Sequence, residues 1–219
     1  MIKRIRLTAR ADTARSAATA ALDAPPDVRP VRAACCTALP RVLPDPAFGG
    51  IALEWFTDEG HLRRFRSWAD GAHGHEVNGD EANGHGAGGI VIAREHPMRG
   101  ADWLERRWRE GGTRLKHMAV ARRAAHLTSA EFSERWRGRA GRVGAVPIPE
   151  AARGRAYVQN HPLLTDGCDW PYDAVNEVYF DDLDGLRTRI AWFAEHAGAT
   201  GEDDLVGENR FVAVEEEPL

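Results

Sequence analysis

The sequence predicts an α+β fold in which two tandem ferredoxin-like βαββαβ units form an α+β barrel. Three observations support this. The opening Ile2–Arg10 aligns without gaps against Leu115–Arg123. Farther on, Trp55-Phe56, Asp58, Leu62-Arg63 and Trp68 match Tyr179-Phe180, Asp182, Leu186-Arg187 and Trp192 at one constant offset. Around these anchors each copy reads strand, helix, strand, strand, helix, strand. The two offsets differ, as insertions at loop tips produce. The expected organisation is a diverged unit over 1–98, a connector helix within 99–112 and a second unit over 113–219.

In the second copy, Leu115–Ala121 reads as a strand. Thr128 or Ser129 then caps a helix to Arg139, with Glu131 at its positive end and Phe132 and Trp136 on one face. Arg155–Asn160 and Ala174–Phe180 are strands. Asp182–His196 is a helix that opens on acidic residues and carries Leu186, Ile190 and Phe193 on one stripe. Asn209–Val214 closes the unit. The first copy follows with strand Ile2–Arg10, an Ala-rich helix Ala11–Leu22 stopped before Pro25-Pro26, strands Val31–Leu39 and Ile51–Phe56, helix Asp58–Trp68 and strand Ile90–Arg94. Asp102–Glu110, with Trp103, Leu104 and Trp108, forms the amphipathic connector. A ferredoxin-like unit covers one sheet face with helices, so its other face must be buried by a second sheet, which the tandem copy can supply.

Composition narrows the function classes. At 219 residues, with 43% hydrophobic and 28% charged, the chain can build a packed core. A net charge of -4 provides no overall positive field for nucleic acid. No apolar run approaches the roughly 20 residues that cross a bilayer, and the Arg- and Ala-rich start lacks the apolar stretch of a targeting peptide. Three cysteines, Cys35-Cys36 and Cys168, form neither a disulfide framework nor a paired metal motif, which fits a reducing, cytoplasmic setting. Lys3 and Lys116 are the only lysines in an Arg-rich chain, a bias expected of a high-GC bacterial genome.

The second half also carries Tyr157-Val158-Gln159-Asn160-His161, then Tyr172-Asp173-Ala174-Val175-Asn176-Glu177-Val178-Tyr179-Phe180 followed by Leu183 and Leu186, and the helical Glu131-Phe132-Ser133-Glu134-Arg135-Trp136. Over about Leu115 to Val214 this resembles the EthD domain family of the dimeric α+β barrel superfamily. The matching segments are that family's YVQNH strand end, its YDGVAELWF strand and its EFxxxW helix. Where the family continues to a His shortly after that Trp, this chain has Arg139-Ala140-Gly141. The first half lacks a YVQNH equivalent. The resemblance implies a cofactor-independent dehydratase, isomerase or cyclase acting on an aromatic, lactone or polyketide-like molecule. A noncatalytic ligand-binding or assembly module, or a haem protein with His161 or His117 as axial ligand, stand as alternatives.

The candidate chemistry lies on two neighbouring strands. Alternation places Arg155, Tyr157, Gln159 and His161 on one face of their strand, and Val175, Glu177 and Tyr179 on one face of theirs. A mid-strand Glu177 needs a partner or a raised pKa, and a carboxyl held that way suits acid/base work. The structural alternative pairs it with Arg155 or another barrel Arg. The expected catalytic group is Glu177, His161 and Tyr157; Gln159, Asn160, Tyr172, Trp170, Tyr179 and Arg155 are the expected substrate-binding residues. No cofactor or metal is expected: His73, His75, Glu76, Asp80 and His85 fit no zinc spacing, and the Gly-rich 70–89 stretch reads as a lid. His117 reads as a structural histidine and the cysteines as unreactive. The expected partner is a hydrophobic small molecule, with no nucleic acid or membrane. Barrel closure within the chain, or by exchange with a second copy in a homodimer, both remain open at this level.

Overall fold

A computed structural model describes all residues except 74–87, 113, 139–141, 144–145, 164–169 and 197–204, and no side chain is described at 73 or 142–143. The first unit comprises β1 (Ile2–Thr8), α1 (Ala11–Leu22), β2 (Arg32–Ala38), β3 (Gly50–Phe56), α2 (Glu59–His73) and β4 (Gly89–Arg99). After the connector α3 (Ala101–Glu110) come β5 (Arg114–Arg123), α4 (Ser129–Arg137), the small hairpin β6 (Arg142–Val143) and β7 (Val146–Pro147), and the one-turn α5 (Glu150–Arg153). The second unit finishes with β8 (Ala156–Pro162), β9 (Ala174–Phe180), α6 (Leu183–His196) and β10 (Val206–Pro218). Among the described residues no helix is long and apolar enough to cross a membrane.

Eight strands close one antiparallel barrel in the order β1-β3-β2-β10-β5-β9-β8-β4. Numbered within its own unit, each half runs fourth-first-third-second, so the two halves have the same topology. They join edge to edge: the fourth strand of each unit pairs with the second strand of the other, β4 with β8 and β10 with β2. Closure therefore occurs within one chain, and the barrel itself has no open edge. Both fourth strands outrun the sequence expectation, which ended them at Arg94 and Val214. Val214–Pro218 supplies the pairing to β2, and Glu95–Arg99 most of the pairing to β8.

Alternation along the strands sends one set of side chains inward. Ile5, Leu7, Phe48, Ile51, Leu53, Val91, Met118, Val120, Val175 and Val212 pack there as the main core. The opposite set meets the helices. Thr128 and Glu131 form the reciprocal capping box that opens α4. In the first unit α1 lies against the sheet through Ala14, Ala18, Cys35 and Ala52. The approach is close because Gly50 has no side chain: a Cβ there would sit 2.6 Å from Ala11 Cα and 2.9 Å from Ala14 Cβ. Gly50→Ala is expected to cost about 1–3 kcal/mol by overpacking, seen as a lower urea midpoint with the m-value unchanged. This half has its helix–sheet gap filled at α1 by alanines, while under α2 the buried Arg4 pairs with Glu54 at 2.8 Å.

Candidate functional site

Inside the barrel the apolar core gives way at one end to a chain of alternating charge. Lys3 Nζ lies 2.6 Å from Glu95 Oε1 and 2.5 Å from Glu177 Oε1. Glu177 also pairs with Lys116, Lys116 pairs with Glu216, and Arg114 Nε sits 2.6 Å from Glu216 Oε1. Every member except Glu95 is essentially without solvent contact. The arrangement keeps the twofold repeat. Lys3 lies 4.7 Å from the ring centre of Trp55, and Lys116 lies 4.6 Å from that of Tyr179. Glu177 breaks the symmetry, since Leu53 is its counterpart in the first copy, and its carboxylate bridges the two lysines.

This placement corrects the expectation for Glu177. Burial pushes its pKa upward, but the Lys116 and Lys3 ammonium groups outweigh burial and hold the carboxyl well below its ordinary range. Asn160 Nδ2 donates to Glu177 Oε1 at 2.8 Å and the Tyr179 hydroxyl to Oε2 at 2.9 Å. The ion-pair reading was nearer the structure, with lysine rather than arginine as partner. Sequence reasoning passed over Lys3 and Lys116, and the available signal was that these two are the only lysines in the chain.

The other polar cluster lies outside the barrel, under the helices. Val158 pairs with Glu177 and Tyr157 with Val178, so Tyr157, Gln159 and His161 occupy the sheet face opposite Glu177. The expected trio of Glu177, His161 and Tyr157 therefore does not share a hollow. Tyr157, Gln159 and His161 do form a unit. Gln159 Nε2 donates to the Tyr157 hydroxyl at 2.9 Å, which turns Gln159 Oε1 toward His161 Nε2 at 3.1 Å. That orientation assigns the proton to Nε2 and leaves the Nδ1 lone pair of His161 with no hydrogen-bond partner among the described residues. Burial, then the positive charge of His96 and Arg137, lowers the His161 pKa to about 4. Burial raises that of Tyr157, which keeps its proton. His96 sets its ring edge-on to His161 at 5.1 Å. Asn176 of β9 lies beside Gln159 and accepts from Trp136 Nε1 of α4 at 3.4 Å. We take the strip of β8 and β9 between Trp136 of α4 and Ile190 of α6 as the candidate groove.

The remaining expected residues scatter. Asn160 faces inward with Glu177. Tyr179 also faces inward, and Tyr172 sits in the main core edge-on to Phe48 at 6.0 Å. Trp170 donates to the Leu163 carbonyl at 2.8 Å and packs with the α2 cluster. Arg155 lies on the surface, its Nε 2.6 Å from Asp181. His117 is enclosed by Phe211 and Phe193, and its Nδ1 accepts from Arg189 Nε at 3.0 Å, so that nitrogen is not open to a haem iron. Cys36 is buried, and burial pushes its thiol pKa well up; burial raises that of Cys35 as well. The side chain of His73, together with His75, Glu76, Asp80, His85, Cys168 and the Arg139-Ala140-Gly141 departure, lies outside what the structure describes.

No family model matches the chain. No curated protein matches it either. Among solved structures, a protein from Lactobacillus acidophilus NCFM provisionally called a monooxygenase is similar at a TM-score of 0.42 and 11% identity, covering 97% of this chain and 92% of that one. A likeness at that level carries no argument about chemistry. The α+β barrel rests on the topology described above.

Proposed function

We propose that the protein is an EthD-type acid/base enzyme, a lyase or isomerase that moves protons on a hydrophobic small molecule lying over β8 and β9. One observation carries the reading: the Tyr157–Gln159–His161 hydrogen-bond chain is polarised. His161 presents an unprotonated Nδ1 that accepts a proton, and Tyr157 presents a hydroxyl whose own proton is free to be donated. Gln159 sets both roles from between them. A single Gln159 amide bonds both the Tyr157 hydroxyl, at 2.9 Å, and His161 Nε2, at 3.1 Å, so the two ends lie close together and a substrate of one or two rings would reach both. Glu177, Asn160, Tyr172, Trp170, Tyr179 and Arg155 have no part in this step; the first five shape the scaffold.

The reading is tested by solvent deuterium incorporation, followed by proton NMR, over a panel of aromatic ketones and unsaturated lactones. The wild-type protein is expected to label at least one member, and His161→Ala or Tyr157→Phe to slow labelling by about 10²-fold or more. Arg155→Ala, at the surface, should leave the rate unchanged. Labelling that survives in His161→Ala, or none with the wild type, overturns the reading. The acid limb of the rate profile should fall near pH 4 rather than 6.5, because the Nδ1 base stays unprotonated down to that pH.

A further inference from the structure

Arg189 on α6 is buried, with 7% of its surface exposed, and has no carboxylate partner among the described residues. Its Nε donates to His117 Nδ1 at 3.0 Å and its Nη1 to the Ala152 carbonyl at 2.8 Å, both neutral acceptors, and its guanidinium carbon lies 4.4 Å from the Phe193 ring centre. Two of its five N–H donors are used. Burying a guanidinium without a counter-ion is costly, and tying α6 to β5 and α5 needs only the neutral hydrogen bonds that an amide side chain would also make. The sheet register says what lies beside it. His117 pairs with Val178 and Val178 with Tyr157, so the three form one row across the outer face, and a guanidinium bonded to His117 lies along the row that ends at Tyr157. Arg189 and Tyr157 each feel the other's charge. Among the described residues Nη2 of Arg189 has no hydrogen-bond partner, and it is not one of the fully enclosed orphan groups, so it retains contact with the surface.

We propose that Arg189 is the anion anchor of this groove and that the substrate class is an apolar, ring-containing carboxylic acid whose carboxylate is held on the Nη2 edge. The proposal builds on the acid/base reading by giving its substrate a charge and an orientation: carboxylate toward α6 and Tyr157, the far ring toward His161 and α4. A planar guanidinium fork suits a carboxylate, which it holds bidentately, and the positive charge of Arg99 nearby further favours an anion there.

The test uses 2-naphthoate and 2-naphthamide, matched in shape and different in charge, titrated calorimetrically into the full chain. The acid is expected to bind about 10-fold or more tightly than the amide. That preference should vanish in Arg189→Met and persist, weakened, in Arg189→Lys. In the wild-type protein, the Arg189 Nε–Hε resonance should shift with 2-naphthoate and not with 2-naphthamide, a readout that holds even if Arg189→Met fails to fold. Equal binding of the two probes, no binding of the acid, an unmoved Arg189 resonance, or a preference that survives in folded Arg189→Met overturns the proposal. His161→Ala removes the base and spares the anchor, so it should keep the naphthoate preference. A failure of the proton-transfer reading is thereby separated from a failure of this one.

Discussion

Glu177→Gln is expected to lose about 3–5 kcal/mol of stability, since removing one partner of a buried ion pair strands the other. Here two ammonium groups are stranded: Lys3 and Lys116 both lie at 0% exposure, and each would retain a single carboxylate, Glu95 or Glu216. Against the usual total of about 5–15 kcal/mol for a folded protein, that is a large share. Urea unfolding followed by tryptophan fluorescence measures it. A second substitution should recover part of the loss. In Glu177→Gln with Lys3→Met, one of the two facing ammonium groups is gone, and the coupling between neighbours of this kind is about 1–3 kcal/mol. The structural role of Glu177 would be refuted by an unchanged urea midpoint in the single variant. Proton-transfer activity per folded molecule should stay near the wild-type value, because the carboxylate faces the inside of the barrel and the Tyr157–Gln159–His161 chain faces out.

Stability should also decline from pH 6.5 toward pH 4, earlier than carboxylate protonation alone would bring about. His117 is driven down to about 3 by burial and then by Arg189, and His161 to about 4 by burial and then by His96 and Arg137. Both folded-state values lie below the ordinary 6.5 of an unfolded histidine, so between them the unfolded chain binds more protons than the folded one. The stabilisation is complete above pH 6.5 and drains away as pH falls toward the folded values. His117, enclosed by Phe193, Phe211 and Arg189, supplies the larger part, about 1 kcal/mol for each pH unit in that window. His161 adds less because it borders the groove. The carboxyl of Glu177, held low by its lysines, adds its own loss only below the ordinary carboxylate range. Urea midpoints at half-unit pH steps would show the trend, and His117→Phe, which fills the space between the two phenylalanines with an uncharged ring, should flatten it. A wild-type profile flat between pH 6.5 and 5 would contradict this assignment.

The twofold architecture could be read from short segments because the repeat preserves what local rules detect. Ala11–Leu22 and Ala174–Phe180 have the bounds the sequence predicts, one from an Ala-rich run stopped by prolines and one from β-branched and aromatic alternation. The fourth strands were cut short for an equally local reason. Glu95-His96-Pro97 and Glu215-Glu216-Glu217-Pro218 look like the ends of strands, since carboxylates and proline are poor strand formers. In the folded chain those are the residues that join one unit to the other, and Glu95 and Glu216 can point inward because Lys3, Lys116 and Arg114 meet them there. The site was half legible. Alternation grouped Tyr157, Gln159 and His161 correctly, but alternation within a strand does not say which face of the next strand lies beside it.

Periodicity and short-range pattern are enough for the α+β class, the duplicated unit and the shared strand of Tyr157, Gln159 and His161. That Glu177 and His161 face opposite sides of one sheet, and that Arg189 of α6 bonds His117 of β5, came only with the folded chain. Both facts depend on the register between strands and on a helix laid across them, contacts between residues far apart in the chain that no local spacing encodes.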